Sequence, residues 1–124
     1  MSAMRQVEEN LHAAENARMH GFGLAEQDLI ARVRELYKKR IAIPCTKCGY
    51  CMPCSNGVHI PNNFDIYNYA HLYDDVETAR FKYQVFLTED ERAAECIDCD
   101  TCEDECSQKI AISDWMPKIS ELLA

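Results

Sequence analysis

The sequence lacks the features that mark membrane-spanning, exported and nucleic-acid-binding chains. It contains no run of about twenty apolar residues, so we expect no transmembrane helix. The N-terminus has no apolar signal core and carries acidic residues early, so we expect no export and a cytoplasmic location. Basic residues are also scarce, with 13 Lys and Arg against 21 Asp and Glu. The resulting net charge of -8 argues against nucleic acid or an anionic membrane as the main partner and favours a basic protein surface.

Signatures of catalysis are missing as well. No Ser–His–Asp spacing, phosphate-binding loop or paired carboxylate motif stands out, so the chain offers no catalytic residue of its own. Glycine and proline are few, with four of each in 124 residues, and no segment alternates apolar and polar residues as a strand would. The sequence therefore predicts a small all-α fold, either one domain or a piece of a larger protein.

Apolar residues at spacings of three and four predict two helices before the first cysteine. One covers 3–16 and the other 25–40, and a break with two glycines lies at 20–23. The first helix carries an apolar stripe: Met4, Val7, Leu11 and Ala14. A helix this short is marginal alone, so the stripe predicts a missing or separate partner, and a homodimer could bury it equally well.

Further helices are predicted between and after the cysteines. Asn62 or Asn63 can cap a helix that Asp74 or Asp75 then breaks, and a second helix follows toward residue 86.

The last part of the chain has two more start signals. The segment 88–91 has the spacing of a capping box, with Thr followed three residues later by Glu. Ser113 can cap a final helix that reaches Leu123, with Pro117 restricting where that helix starts.

All eight cysteines lie in two short runs. The first run is Cys45, Cys48, Cys51 and Cys54, and the second is Cys96, Cys99, Cys102 and Cys106. Thiolates three residues apart can converge on the iron corners of one small cluster. The spacing therefore predicts two [4Fe–4S] clusters, which would supply the core that a small chain otherwise lacks.

Disulfides and zinc are the alternatives for these cysteines. An even cysteine count is typical of secreted disulfide-rich chains, but thiols three residues apart suit a metal better than long-range crosslinks. Zinc ribbons separate their two Cys-x2-Cys knuckles by a dozen or more residues, which four cysteines within ten residues do not match. A zinc-stabilised interaction module remains the alternative of a different class.

The cysteines can divide between the clusters in two ways. In two-cluster ferredoxins the fourth cysteine of each run ligates the other cluster. That exchange would assign Cys45, Cys48, Cys51 and Cys106 to one cluster, and Cys96, Cys99, Cys102 and Cys54 to the other. Alternatively each run holds its own cluster, which requires a tighter loop. Exchange is favoured by the ferredoxin pattern, and both arrangements stay open at this point.

The two runs differ in the charge around them. Nine acidic residues and one basic residue lie between Glu89 and Glu105, whereas the first run is surrounded by Lys38, Lys39, Arg40 and Lys47. Because reduction adds negative charge, a cluster among acidic residues should be harder to reduce. The alternative is that the acidic residues only form a solvated face.

The cysteine motifs resemble the C-terminal iron–sulfur domain of one branch of the aldo/keto reductase family. The residues that carry this resemblance are Ile43 to Cys45, Cys48 to Cys54, Gly57 to Pro61, Phe64, Cys96 to Cys106, Gln108 and Ile110. Members of that branch usually have Pro after the last cysteine of each run, where this chain has Ser55 and Ser107. The resemblance implies a ferredoxin-like dicluster domain over 41–124.

The resemblance extends to the segment 1–40, which is similar to the end of the reductase barrel. It implies that Glu9 and Asn10 contact the adenine of NADP(H), and that Gln6 lies where a phosphate-binding Arg often lies. The family's catalytic Tyr, Lys, Asp and His belong to the barrel, so none is assigned here, and NADP(H) is expected only with a barrel. The alternative is that these three residues lie on a plain helix surface.

Together these features predict an electron-transfer module that is part or partner of an aldo/keto reductase-type oxidoreductase. Its expected partners are a redox protein or the reductase barrel. A purely structural role of the clusters is the alternative, because metal binding often supplies folding free energy. Whether the chain belongs to an enzyme, and which donor, acceptor and substrate it serves, stays open.

Overall fold

Helices form where the apolar spacing predicts them. The computed structural model describes residues 2–19 and 21–124, and these residues contain no strand, which confirms the all-α prediction. The α-helices are α1 (Met4–Glu15), α2 (Leu24–Arg40), α3 (Ile60–Tyr73), α4 (Val76–Phe86), α5 (Thr101–Asp104) and α6 (Ile112–Leu123). Two 3-10 turns, Glu89–Glu91 and Ala93–Glu95, lie between α4 and α5. Within the described residues no helix is long and apolar enough to cross a membrane.

The chain divides into two compact units, one ending at Glu35 and the other spanning Leu36–Ala124. In the described part of the first unit no side chain is fully buried. Met4 is 72 % exposed and Leu11 is 59 % exposed, so the apolar stripe of α1 faces outward. His20, which belongs to the predicted break between α1 and α2, lies outside the described residues.

The core of the second unit is formed by α3, α4 and α6, which contact one another pairwise. Its largest fully buried side chains are Val58, Phe64, Tyr83, Leu87, Ile112, Met116, Ile119 and Leu123, together with Ile43 just before the first cysteine run. The apolar faces of three helices thus support the two loops that carry the cysteines.

The predicted start of α3 is wrong, because the helix begins at Ile60 rather than after Asn62 or Asn63. His59 is the N-cap, and its Nδ1 accepts a hydrogen bond of 3.3 Å from the backbone N–H of Asn62. Pro61 fits this first turn because its fixed φ and missing N–H suit the start of a helix. Asn63 is fully buried instead, and its amide donates to the carbonyl oxygens of His59 and Glu91 at 2.9 and 2.8 Å.

The break between α3 and α4 is confirmed at Asp74 and Asp75. Asp74 ends α3 in the left-handed region with φ 54°, and the Asp75 carboxylate caps α4 by accepting from the Thr78 N–H at 2.9 Å. Two residues thus reverse the chain and stack α4 on α3. The Thr78 hydrogen bonds hold the pKa of the half-buried Asp75 carboxyl below its ordinary value.

The segment after α4 leads the chain to the second cysteine run. The predicted capping box is present, with the Glu91 carboxylate accepting from the Thr88 N–H at 3.0 Å and from its hydroxyl at 2.9 Å. The buried Tyr83 hydroxyl accepts a 2.8 Å hydrogen bond from the Ala93 N–H at the start of the next turn. These contacts fix the backbone immediately before Cys96.

The predicted cap of the final helix is also wrong. α6 begins at Ile112 after the N-cap residue Ala111, so Ser113 lies inside the first turn. Its N–H and hydroxyl both donate to Oε1 of Glu103, at 2.9 and 2.7 Å. A carboxylate from α5 thereby satisfies a free N–H at the start of α6, which a serine cap would otherwise do. Pro117 lies within the helix.

Candidate metal centre

The two cysteine runs adopt the same backbone pattern. In the first run, φ is positive at Lys47 and Gly49, on either side of the second cysteine. In the second run, it is positive at the matching positions Asp98 and Asp100. Left-handed residues turn successive backbone N–H groups toward one side of a loop, where they can face anionic sulfur. Three of the four positions are not glycine, so sequence alone gave no signal for this pattern.

Two backbone N–H groups already point at cysteine sulfur. The Lys47 N–H donates to Sγ of Cys45 at 3.4 Å, and the Ile110 N–H donates to Sγ of Cys106 at 3.5 Å. Such bonds favour the thiolate, which is the form that binds metal. All eight cysteines are free of disulfide bonds, so each sulfur is available as a ligand.

The electrostatic neighbours of Cys51 include a cysteine from the other run. Burial raises the pKa of the Cys51 thiol, and the charges of Cys45, Cys106 and Cys48 raise it further. Cys106 of the second run is therefore among the charged neighbours of Cys51, together with Cys45 and Cys48.

Cys102 has the reciprocal environment. Burial raises the pKa of its thiol to about 11, and the charges of Cys51, Cys54 and Cys96 also raise it. Two cysteines of the first run, Cys51 and Cys54, are thus among the charged neighbours of this second-run thiol.

Each run is followed by a serine whose hydroxyl contacts a thiol of the other run. The Ser107 hydroxyl, after Cys106, lies 3.6 Å from Sγ of Cys48, and the Ser55 hydroxyl lies 4.0 Å from Sγ of Cys99. These contacts contribute to lowered pKa values of the two exposed thiols. The largest lowering of the Cys48 pKa comes from the backbone N–H of Tyr50, and the largest lowering of the Cys99 pKa comes from the backbone N–H of Thr101.

A cavity of about 380 Å³ lies between the runs. It is lined by Cys51, Cys54, Cys99 and Cys102, with Tyr50, Met52, Pro53, Ser55, Thr101 and Glu105 completing its wall. Cysteines of both runs thus face one space. A second cavity of about 310 Å³ has Cys45 in its wall, beside the 2.7 Å ion pair of Lys47 and Asp65.

The donor set fits clusters better than single ions. In the described ranges 2–19 and 21–124, no three His, Cys, Asp or Glu side chains are arranged to hold one metal ion. A [4Fe–4S] cluster binds its four thiolates on separate iron atoms, so its ligands lie further apart than those of a single ion. Eight free thiols in two runs of four are the donor type that iron–sulfur clusters take.

The three residues implied to contact NADP(H) lie on or near the exposed surface of α1. Glu9 pairs with Arg5 at 3.6 Å, and Oε1 of Gln6 accepts from the Ser2 N–H at 2.9 Å. Asn10 is exposed on the same helix. The structure brings none of them to a described pocket, so their adenine-binding role stays a prediction.

Three residues that contribute to the site had weaker sequence signals. Asn68 on α3 pairs through its amide with both backbone groups of Ile43, at 2.9 and 2.8 Å, and so fixes the entry to the first run. An asparagine inside a helix gives no hint of a contact 25 residues away. Ser55 and Ser107 were visible as departures from Pro, but their thiol contacts were not.

Comparison with known families supports an iron–sulfur centre in this part of the chain. Residues 44–111, more than half of the chain, match the family model described as a 4Fe-4S dicluster domain. Searches of curated proteins and of solved structures gave no match. The matched segment begins one residue before Cys45 and contains all eight cysteines. The chain therefore belongs to the family of 4Fe-4S dicluster domains and is an iron–sulfur protein of the electron-transfer type.

Proposed function

We propose that the chain binds two [4Fe–4S] clusters with exchanged fourth ligands and works as an electron-transfer module. The ligands of one cluster are Cys45, Cys48, Cys51 and Cys106, and those of the other are Cys96, Cys99, Cys102 and Cys54. The main support is geometric: the hydroxyl of Ser107, next to Cys106, lies 3.6 Å from Sγ of Cys48 in the first run, and the hydroxyl of Ser55, next to Cys54, lies 4.0 Å from Sγ of Cys99 in the second run. When bound, such clusters supply reversible one-electron transfer.

The protein groups around the thiols suit that role. Backbone N–H groups donate to Sγ of Cys45 and of Cys106, and the latter thiol is buried. Cys48 and Cys99 are exposed, so each ligand set has one thiol at the surface, where a partner can approach. The acidic residues around the second run favour a basic face on that partner.

Metal content and reduction test the redox role. Anaerobically purified protein should contain about eight iron and eight sulfide per chain, and its brown colour should bleach reversibly with dithionite. Full clusters that do not reduce reversibly would support the purely structural role instead. A colourless protein containing zinc would support the zinc-stabilised interaction module.

Iron counts in double variants test the ligand exchange. With exchange, Cys106→Ala removes the cluster of the first run, so adding Cys48→Ala costs no further iron. Adding Cys99→Ala instead should remove the remaining iron. If each run holds its own cluster, the two double variants give the opposite results, with Cys48→Ala removing the remaining iron.

We further propose that the module serves an aldo/keto reductase-type oxidoreductase, through a contact with the barrel made by α1. The supports are the resemblance of the motifs and the outward-facing stripe that includes Met4 and Leu11. Glu9 and Asn10 would contribute to NADP(H) binding only in that assembly. A cytoplasmic location and the absence of a nucleic-acid partner stay predictions.

Light scattering tests this partnership. The chain should form a one-to-one complex with a reductase barrel of that family, and Leu11→Glu should abolish it. Replacing Glu9 and Asn10 with Ala should weaken NADPH binding by the complex while leaving complex formation intact. A dimer of the chain alone that Leu11→Glu dissociates would support the homodimer instead.

A further inference from the structure

Each cysteine run is followed by a serine whose hydroxyl reaches the other run. Ser107 follows Cys106 and contacts Sγ of Cys48 at 3.6 Å. Ser55 follows the last cysteine of the first run and contacts Sγ of Cys99 at 4.0 Å. In both cases the contacted thiol is the second cysteine of its run and is exposed. The same contact thus occurs twice in one chain.

We propose that the Ser107 and Ser55 hydroxyls donate hydrogen bonds to the cluster-bound thiolates of Cys48 and Cys99 and thereby raise the reduction potentials of the two clusters. The inference rests on the proposed function, because it needs bound clusters. A thiolate on iron has no proton and can only accept, so the hydroxyl must be the donor. A hydrogen bond to ligand sulfur stabilises the more negative reduced state, and such bonds are among the factors that set cluster potentials.

The surroundings of Ser107 favour this donor role. Nε2 of Gln108 lies 3.4 Å from the Ser107 hydroxyl oxygen and donates to it. The oxygen thus serves as the acceptor for the amide, which leaves its own hydrogen available for Sγ of Cys48. Chains of hydrogen bonds polarise one another, so the amide strengthens the bond from the hydroxyl to the thiolate.

The contact at Cys99 is weaker and has a substitute. Ser55 is further from its thiol, and the Thr101 hydroxyl also lies 3.7 Å from Sγ of Cys99. Thr101 shares its proton with the Cys99 carbonyl at 3.4 Å, but it can turn fully to the thiol when Ser55 is lost. Loss of the Ser107 hydroxyl should therefore change the potential more than loss of the Ser55 hydroxyl.

A threonine and valine pair isolates the hydroxyl from the volume of the side chain. Ser107→Thr keeps the donor, whereas Ser107→Val has nearly the same shape and no donor. The valine methyl also hinders a water molecule from replacing the lost hydroxyl at this exposed position. Ser107→Ala and the corresponding Ser55 variants complete the set, with iron and sulfide counts confirming equal cluster content.

The readout is the midpoint potential of each variant in an anaerobic redox titration followed by absorbance. We expect Ser107→Val to shift part of the curve to more negative potential, Ser107→Thr to stay near the parent, and Ser55→Val to cause a smaller negative shift. Superimposable curves for Ser107→Thr and Ser107→Val, or a positive shift in the valine variant, would overturn the proposal. A parent protein without reducible iron would instead contradict the proposed function.

Discussion

Replacing Asn68 with Ala should weaken the attachment of the first cysteine run to α3. The side chain amide is half-buried and bonds both backbone groups of Ile43, with Oδ1 accepting from the N–H at 2.9 Å and Nδ2 donating to the oxygen at 2.8 Å. Ile43 is fully buried and lies two residues before Cys45. Water therefore cannot easily replace the lost amide.

The expected loss can be worked from these two bonds. The Ile43 oxygen keeps a second partner, because it also accepts from the Cys45 N–H at 2.8 Å, so loss of the Asn68 donor costs about 1 kcal/mol. The Ile43 N–H is left without a protein partner, which costs about 1–3 kcal/mol for a buried donor. Asn68→Ala should thus destabilise the folded state by about 2–4 kcal/mol.

The assay is the rate at which the cluster-loaded protein unfolds and releases iron to a chelator in guanidinium under anaerobic conditions. A rate is the suitable quantity because cluster loss makes unfolding irreversible. If the two bonds are broken in the transition state, the rate should rise roughly 30- to 700-fold, since each 1.4 kcal/mol is a factor of ten.

Asn62→Ala is the matched control, because this asparagine is half-buried on the same helix and bonds to His59 through its backbone N–H. Its rate should stay within a few-fold of the parent. Equal rates for Asn68→Ala and Asn62→Ala would refute the reasoning. So would an Asn68→Ala rate within a factor of three of the parent.

Three further predictions concern the core and the second run. Tyr83→Phe removes the acceptor of the buried Ala93 N–H and should lower the free energy of unfolding by about 1–3 kcal/mol, measured as a faster denaturant-induced unfolding rate; an unchanged rate would contradict it. The pKa of the Glu91 carboxyl is lowered by hydrogen bonds from the backbone N–H and hydroxyl of the residue that starts its turn, so its stabilisation is present above the unfolded-state pKa near 4.5 and is lost as pH falls through the folded-state pKa. Glu91→Gln should therefore unfold faster than the parent at pH 7, with the ratio of the two rates falling toward one as the pH is lowered from 4.5 through the folded-state pKa, and a constant ratio would disprove the linkage. Asp98→Asn and Asp100→Asn keep a residue type that tolerates positive φ but remove a charge beside Cys99, so at low salt each should raise the potential of one cluster by on the order of tens of millivolts in a redox titration; potentials that do not move would support a merely solvated acidic face.

The sequence alone was sufficient to predict the structural elements that depend on neighbouring residues in the chain. Helices α1 and α2 follow from apolar spacing. The Asp74–Asp75 break follows from residues that tolerate or cap a chain reversal. The prediction that the cysteines bind a metal also needed only local information, because all eight lie in two short runs.

Features that depend on contacts between distant segments could not be read from the sequence. His59 caps α3 in place of the predicted asparagine. At the start of α6, Glu103 of α5 accepts from the Ser113 N–H, where the sequence predicted a serine cap. In each case the predicted cap residue forms a different hydrogen bond. The buried Asn63 amide donates to the Glu91 carbonyl, and the Ser113 hydroxyl donates to Glu103. A capping signal gives the chemistry that a helix start needs, but tertiary contacts decide which residue supplies it.

The two halves of the metal centre are alike in backbone and different in charge, and this combination bears on function. Positive φ at Lys47 and at Asp98 shapes the same turn in each run, so both sets of thiols receive similar geometry. Yet Lys47 brings a cation, neutralised in part by Asp65 at 2.7 Å, whereas Asp98 brings an anion at the equivalent position. In a chain with two bound clusters, matched geometry with unmatched charge would separate their potentials without changing their ligands. Such a separation would give electron flow through the module a direction, which a purely structural pair of clusters would not need.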